Sequence, residues 1–262
     1  MSAREPLPRL VGMVHLPALP GSPAGELDLG TITEGAVRDA RTLAANGFDG
    51  LLVQNSLDRP TREVVDAATI AQLTAVAAAV RAAVDVPLGI NIVKNDGFGA
   101  VAVAAAVGAA FVRVKIHTGA VLSAEGVVQG SAFDTLALRR RLGSDVAIWA
   151  DVYEPTSRAL LPGDLTAAAV DAVDFGLADG VIITRPTAAE SIAVIAELRD
   201  RLPDTRMIIG GRVNAANVAE TLSTVDSVII GSALKRPAGI RGPVVAEAAK
   251  EIADGASRTV TP

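Results

Sequence analysis

Apolar residues in this chain gather into short runs that recur from one end to the other, with longer amphipathic or alanine-rich stretches between them. The runs cover 10–15, 50–54, 88–93, 111–116, 146–152, 180–184, 206–209 and 227–230. Most are rich in β-branched residues and all are short, which predicts strands buried on both faces of a parallel sheet. The stretches between them predict helices over 34–45, 65–83, 98–107, 165–175, 188–202, 215–222 and 244–253. Asn46-Gly47 and Gly176 stand where helices should stop, and Asp164 and Asn214 where N-caps belong. About eight strand–helix units follow one another with no linker or shift of composition. That number closes a single (β/α)8 TIM barrel, expected here as one domain over residues 1–262. A doubly wound open sheet is the alternative. If it bound a dinucleotide it would carry a glycine-rich turn after its first strand, and His15-Leu16-Pro17 stands there instead.

Composition narrows the function classes. The 262 residues are 50% hydrophobic and 20% charged, with a net charge of −5 and only 3% aromatic residues. A nucleic-acid partner, which wants a basic face or stacking platforms, is therefore not expected. The absence of cysteine excludes disulfides, thiolate metal sites and a cysteine nucleophile. Mean hydropathy is high at +0.40. Yet no apolar run approaches the roughly 20 residues of a membrane span, since the longest is broken by Gly108 and leads into Arg113. The N-terminal MSAREPLPR lacks the apolar core of a secretory signal. A soluble, cytoplasmic protein is expected, and the Ala- and Val-rich outer helices favour a homo-oligomer.

Chemistry in such a barrel belongs at the C-terminal strand ends. The first strand ends at His15, held at the mouth by a proline-rich loop. The second leads into Gln54, Asn55 and Asp58, and the third into Asn91, Lys94, Asn95 and Asp96. On the fourth, Arg113, Lys115 and His117 alternate with Val112, Val114 and Ile116, so the polar set is expected to project into the barrel. So much buried positive charge needs anions; Asp96, Glu125, Asp151, Glu154 or a substrate could supply them. The same residues could instead form a structural ion network. His117, Asp96 and Asp151 could ligate a metal, but no spacing demands it, and neither metal nor cofactor is expected. Lys94 or Lys115, if desolvated, could form a Schiff base. After the seventh and eighth strands come Gly210-Gly211-Arg212 and Gly231-Ser232, followed by Lys235. Glycine there lets backbone approach an anion, and these two loops are the usual phosphate site of the fold. The alternative is that the glycines merely close tight turns.

The segments Gly12–Pro23, Gly89–Asp96 and Arg113–Ala120, continued by Glu125–Gly130, Ala150–Val152 and Ile230–Lys235, resemble the BtpA/SgcQ family over nearly the whole chain. The resemblance implies a TIM-type barrel. One branch of that family is linked to photosystem I biogenesis and another to sugar-uptake and sugar-metabolism genes. This chain departs from the family pattern at the mouth. Tyr153-Glu154 replaces a Lys-His pair, Lys115 replaces an Asn, and Gln54–Asp58 replaces an acidic-aromatic-glycine stretch.

Together these readings lead to an enzyme acting on a small phosphorylated metabolite, a sugar phosphate or phosphorylated nucleoside. Isomerase, aldol-type lyase and glycoside-cleaving chemistry all fit. Asp151 and His117 are expected as base and acid, with His15 a further candidate at the mouth. Lys115 and Arg113 would stabilise developing negative charge. Asn91, Asn95, Lys94, Asp96, Asn55, Glu125 and Glu154 would hold substrate. Gly210, Gly211, Arg212, Gly231, Ser232 and Lys235 would hold phosphate. The alternatives are a non-catalytic assembly protein or a metabolite-binding pseudoenzyme.

Overall fold

Eight parallel strands close on themselves in a computed structural model that describes residues 7–153, 155–160 and 163–258. In chain order the elements are β1 (Leu10–His15), α1 (Leu29–Ala45), β2 (Gly50–Gln54), α2 (Ala67–Ala83), β3 (Leu88–Asn91), α3 (Gly97–Val107) and β4 (Phe111–Val114). A hairpin of β5 (Ala120–Ser123) and β6 (Gly126–Gln129) precedes α4 (Ala132–Arg141), β7 (Ala147–Val152) and β8 (Arg158–Ala159). Then follow α5 (Leu165–Val170), β9 (Gly180–Ile183), α6 (Ala188–Arg199), β10 (Arg206–Gly210), α7 (Val218–Thr224), β11 (Ser227–Ile230) and α8 (Ala246–Ser257). The barrel runs β1-β11-β10-β9-β7-β4-β3-β2, and β1 pairs with both β2 and β11 to close it. The chain is thus a TIM barrel.

Strand alternation divides the apolar residues into two sets. Val11, Met13, Leu52, Phe111, Trp149, Ile182, Ile208 and Ile229 fill the lumen. Val14, Val53, Ile90, Val112, Ala150, Val181 and Ile209 pack outward with the helices. In the lumen the Phe111 and Trp149 rings stack with centroids 3.9 Å apart. Gly89 makes room for them, because a Cβ there would lie 2.2 Å from the Phe111 ring. At the N-terminal end the Arg206 guanidinium donates to the Leu7 and Pro8 carbonyls and lies 5.7 Å from the Trp149 ring centroid. Side chains at Asp28, Asp66, Asp96, Asp164 and Thr187 accept from first-turn amides and start their helices.

All eight predicted strands are present, with β3 and β4 ending two residues earlier than their apolar runs. Helix α7 starts at Val218 instead of 215, because the Asn214 side chain closes on the amide of Ala216 and Asn217 becomes the cap residue. Helix α4, the hairpin and β8 are additions that the apolar pattern did not predict. Residues Asp171–Phe175, which continue α5, form a π-helical turn. No helix among the described residues is long and apolar enough to cross a membrane.

Candidate active site at the barrel mouth

The upper layer of the lumen is polar. Arg113 on β4 grips Asp151 on the neighbouring β7 with two parallel hydrogen bonds, Nε to Oδ2 at 2.7 Å and Nη2 to Oδ1 at 2.8 Å. Their side chains are 8% and 1% exposed. A two-pronged contact of this kind fixes the guanidinium plane as well as neutralising it. Arg113 leans across the lumen toward β10, where a Cβ on Gly210 would lie 3.4 Å from Nη2. His15 leans the same way toward β11, with its Cε1 2.8 Å from the place of a Cβ on Gly231. Gly231 therefore seats the His15 side chain, whereas Gly210 gives way chiefly to Ile182, whose Cγ2 would lie 2.6 Å from a Cβ there. Tight turns alone do not account for them.

The His15 imidazole is pushed down from 6.5 to about 3 by burial and then by the positive charges of Lys235, Arg113 and Lys115. It stands as a neutral ring, and its Nδ1 has no hydrogen-bond partner among the described residues.

Beside His15 a cavity of about 710 Å³ opens over the ends of β1 to β4, within the size range of small-molecule sites. Lys94, Lys115, Glu125, Thr61 and Thr156 line it. Lys94 is 7% exposed, and its ammonium donates to the Thr156 hydroxyl at 2.6 Å. Glu125, in the hairpin turn, accepts from Thr61 and, at 2.7 Å, from Ser123. Burial pushes its carboxyl up, but these two hydroxyls and nearby Lys94 hold it below the usual range. Lys115 also borders a smaller cavity of about 110 Å³ with Asp151 and Tyr153.

Several expected site residues lie elsewhere or have at least one polar atom engaged within the fold. The extended backbone ends at Val114, so the alternation stops short of His117. That side chain is 1% exposed, with Nε2 at 2.7 Å from the Gly176 carbonyl beyond α5, and burial lowers its pKa. Asp96 caps α3 and accepts from Gly99 and Val65 amides. The Asn95 amide mimics a backbone partner for Ile116, bonding both its N–H and its carbonyl. Asn55 bonds Val93 and Asp58, and Asn91 donates to the Arg113 carbonyl. Lys235 is 1% exposed and points behind the barrel, where its ammonium meets Asp39 at 2.8 Å and the Gly242 carbonyl at 2.9 Å. Glu154 falls outside the described residues. The conceivable metal set is not assembled, and among the described residues no group of three or more His, Asp or Glu side chains converges.

The glycine-rich loops flank the large cavity without lining it. Gly211 and Arg212 have φ of +119° and +64°, and Ser232 opens a short 3-10 turn, Ser232–Leu234. The amides of Arg212, Val213 and Ser232 have no acceptor among the described residues. Sequence reasoning missed Thr61, Thr156 and Arg59, which also lines the cavity. Arg59, Thr61 and Arg62 in the loop after the second strand were a usable signal, since βα loops build the mouth of this fold.

Fold and mouth together define a (β/α)8-barrel protein with a cation-rich site at the C-terminal strand ends. The family model described as "BtpA family" matches residues 7–258, and the chain belongs to that family. It is 35% identical over 250 residues to an uncharacterized protein of Thermococcus kodakarensis, covering 94% of each chain. It is also 35% identical over 237 residues to the photosystem I biogenesis protein BtpA of a Synechocystis strain, covering 88% of this chain and 82% of that one. Among solved structures it is similar to N-(5'-phosphoribosyl)anthranilate isomerase from Pyrococcus furiosus. The TM-score is 0.57 at 14% identity, covering 95% of this chain and 99% of that one. That likeness concerns the fold.

Proposed function

We propose that the mouth binds a small phosphorylated metabolite and transforms it by acid–base chemistry. The observation that carries this reading is the convergence of His15, Arg113 and Lys115 beside two glycine loops that present amides without acceptors. The phosphate would rest on the backbone at Gly211-Arg212 and Gly231-Ser232, with the Arg212 side chain adding charge. Lys115 and Arg113 would face negative charge that develops on an enolate or alkoxide oxygen. Asp151, with both oxygens engaged by Arg113, is a positioning residue in this scheme. His15 takes the proton-transfer role expected of His117. An anionic substrate would offset the cations that depress its pKa and raise its basicity when the site is filled. The solved neighbour named above, an isomerase of a phosphoribosyl compound, is compatible with this chemistry on the same fold.

Thermal unfolding with inorganic phosphate and with a panel of sugar phosphates tests the reading. A ligand at about 100 times its Kd adds about 2.7 kcal/mol of stability, a Tm rise of several degrees for a domain of this size. Flat curves across the panel would sink it. A non-catalytic assembly role is the second reading, favoured by the identity to the Synechocystis protein. It predicts those flat curves.

A further inference from the structure

We propose that the start of α4 and the turn that ends α5 form a two-fold contact surface on the barrel's flank, onto which a second copy of this chain docks. Of the seven aromatic residues in the chain, Phe48, Phe111 and Trp149 are buried and Tyr153 is half-buried. The other three, Phe98, Phe133 and Phe175, are 43%, 83% and 80% exposed, and Leu177 is 58% exposed.

These residues are far apart in sequence but share one support. The amide of Ala132, next to Phe133, donates to the His117 carbonyl at 3.0 Å. The Nε2 of the same histidine lies 2.7 Å from the carbonyl of Gly176, which stands between Phe175 and Leu177. Gly176 packs so closely on this segment that a Cβ there would lie 2.7 Å from Thr118 Cγ2. Buried His117 therefore joins the two exposed phenylalanine segments from below. Phe98 borders them on the α3 side. Its neighbour Gly97 packs against Ser131 and Thr135, and the Arg141 guanidinium lies 5.8 Å from the Phe98 ring centroid. Clustered exposed apolar side chains mark contact sites, and aromatic residues are enriched at interface centres.

The flanking charges select the partner. On α4 the exposed charges are Asp134, Arg140 and Arg141, a net cation, and on the turn beside Phe175 they are Asp171 and Asp174. Arg140 stands two turns along α4 from Phe133. Neither Arg140 nor Asp174 makes an ion pair or side-chain hydrogen bond among the described residues. The surface thus has a cationic half and an anionic half, and a partner of one charge sign would be repelled by one of them. A two-fold axis between the halves lays each on its opposite, because residue i then meets j and j meets i. The docking is independent of what the mouth binds.

Sedimentation velocity over a concentration series tests the proposal. The wild-type chain is expected to sediment as a dimer and Phe133→Asp as a monomer, with its fold checked by circular dichroism. Arg140→Glu and Asp174→Arg should each weaken the dimer at least about tenfold, since each sets like charges opposite one another twice. An equimolar mixture of these two variants re-forms opposite charges at both contacts, and so does one chain carrying both changes. Both are expected to recover the wild-type dimer. A wild-type chain that stays monomeric throughout overturns the proposal. So does a dimer that Phe133→Asp leaves intact, or charge reversals that neither weaken the dimer alone nor rescue one another.

Discussion

Two buried ion pairs of the same charge type sit in this barrel and serve opposite ends. Lys235 and Asp39 meet behind β11, and every strong group in the pair is engaged locally. The ammonium also bonds the Gly242 carbonyl, and the second Asp39 oxygen accepts from the Val244 amide. The pair fastens the segment before α8 onto α1, and neither residue lines the two mouth cavities. Arg113 and Asp151 are buried at the mouth, where Asp151 borders one cavity and Arg113 lies against a glycine. Burial and pairing alone therefore do not distinguish a fastener from a functional group. What separates the two pairs is what each one borders.

The contrast can be broken from either side. Lys235→Met leaves Asp39 buried and unpaired, and is expected to lower unfolding free energy by about 3–5 kcal/mol, read by urea denaturation. The remaining folded protein should keep its affinity for phosphate. Arg113→Lys retains the charge but loses the two-pronged grip. It should cost less in stability, about 1–3 kcal/mol, yet remove most of the response to sugar phosphates. Equal loss of ligand affinity in the two variants would erase the distinction.

Gly231→Ala sharpens the contrast further. Its methyl would press within 2.8 Å of His15 Cε1, so overpacking of about 1–3 kcal/mol is expected. The His15 ring signal in the NMR spectrum should shift while that of His117 stays in place.

A smaller effect follows from the charge on His15. With its pKa depressed from 6.5 to about 3, the folded protein refuses a proton that the unfolded chain accepts between those values. The contribution of His15 to stability is whole above about pH 6.5 and is lost as pH falls toward 3. His15→Asn should therefore flatten the acid side of the stability profile, by up to about 1.4 kcal/mol per pH unit. An unchanged slope would place His15 in a wetter, less cationic setting than the geometry gives it.

The barrel was legible because its signal is local and repeated: eight short apolar runs, each bounded by helix-starting or helix-stopping residues. The hairpin was not, because Ala120–Ser123 and Gly126–Gln129 mix exposed and buried positions over only four residues each. Helix α4 ends in three arginines and buries only Ala132, Thr135 and Leu138, so it shows little of the usual stripe. At the site, the positions of Arg113 and Asp151 followed from strand parity, and that of His15 from its place at a strand end before a proline-rich loop. His117 did not, since parity holds only while the chain stays extended. Asn95 and Lys235 had no local signal at all. The acceptor of Lys235 lies 196 residues away in sequence, and the role of Asn95 depends on backbone groups of Ile116 that only the closed barrel brings near.

One wall of the mouth is built apart from the barrel. The sheet β6-β5-β8 draws two strands from the segment after β4 and one from the segment after β7, and it shares no strand with the closed ring. Glu125 sits in its turn, and Thr156 lies just ahead of its third strand. Mutations in this small sheet can reshape the pocket without disturbing the hydrogen bonds that close the ring. Tyr153, one of the departures from the family pattern, lies in the segment that leads from β7 toward the third strand of this sheet.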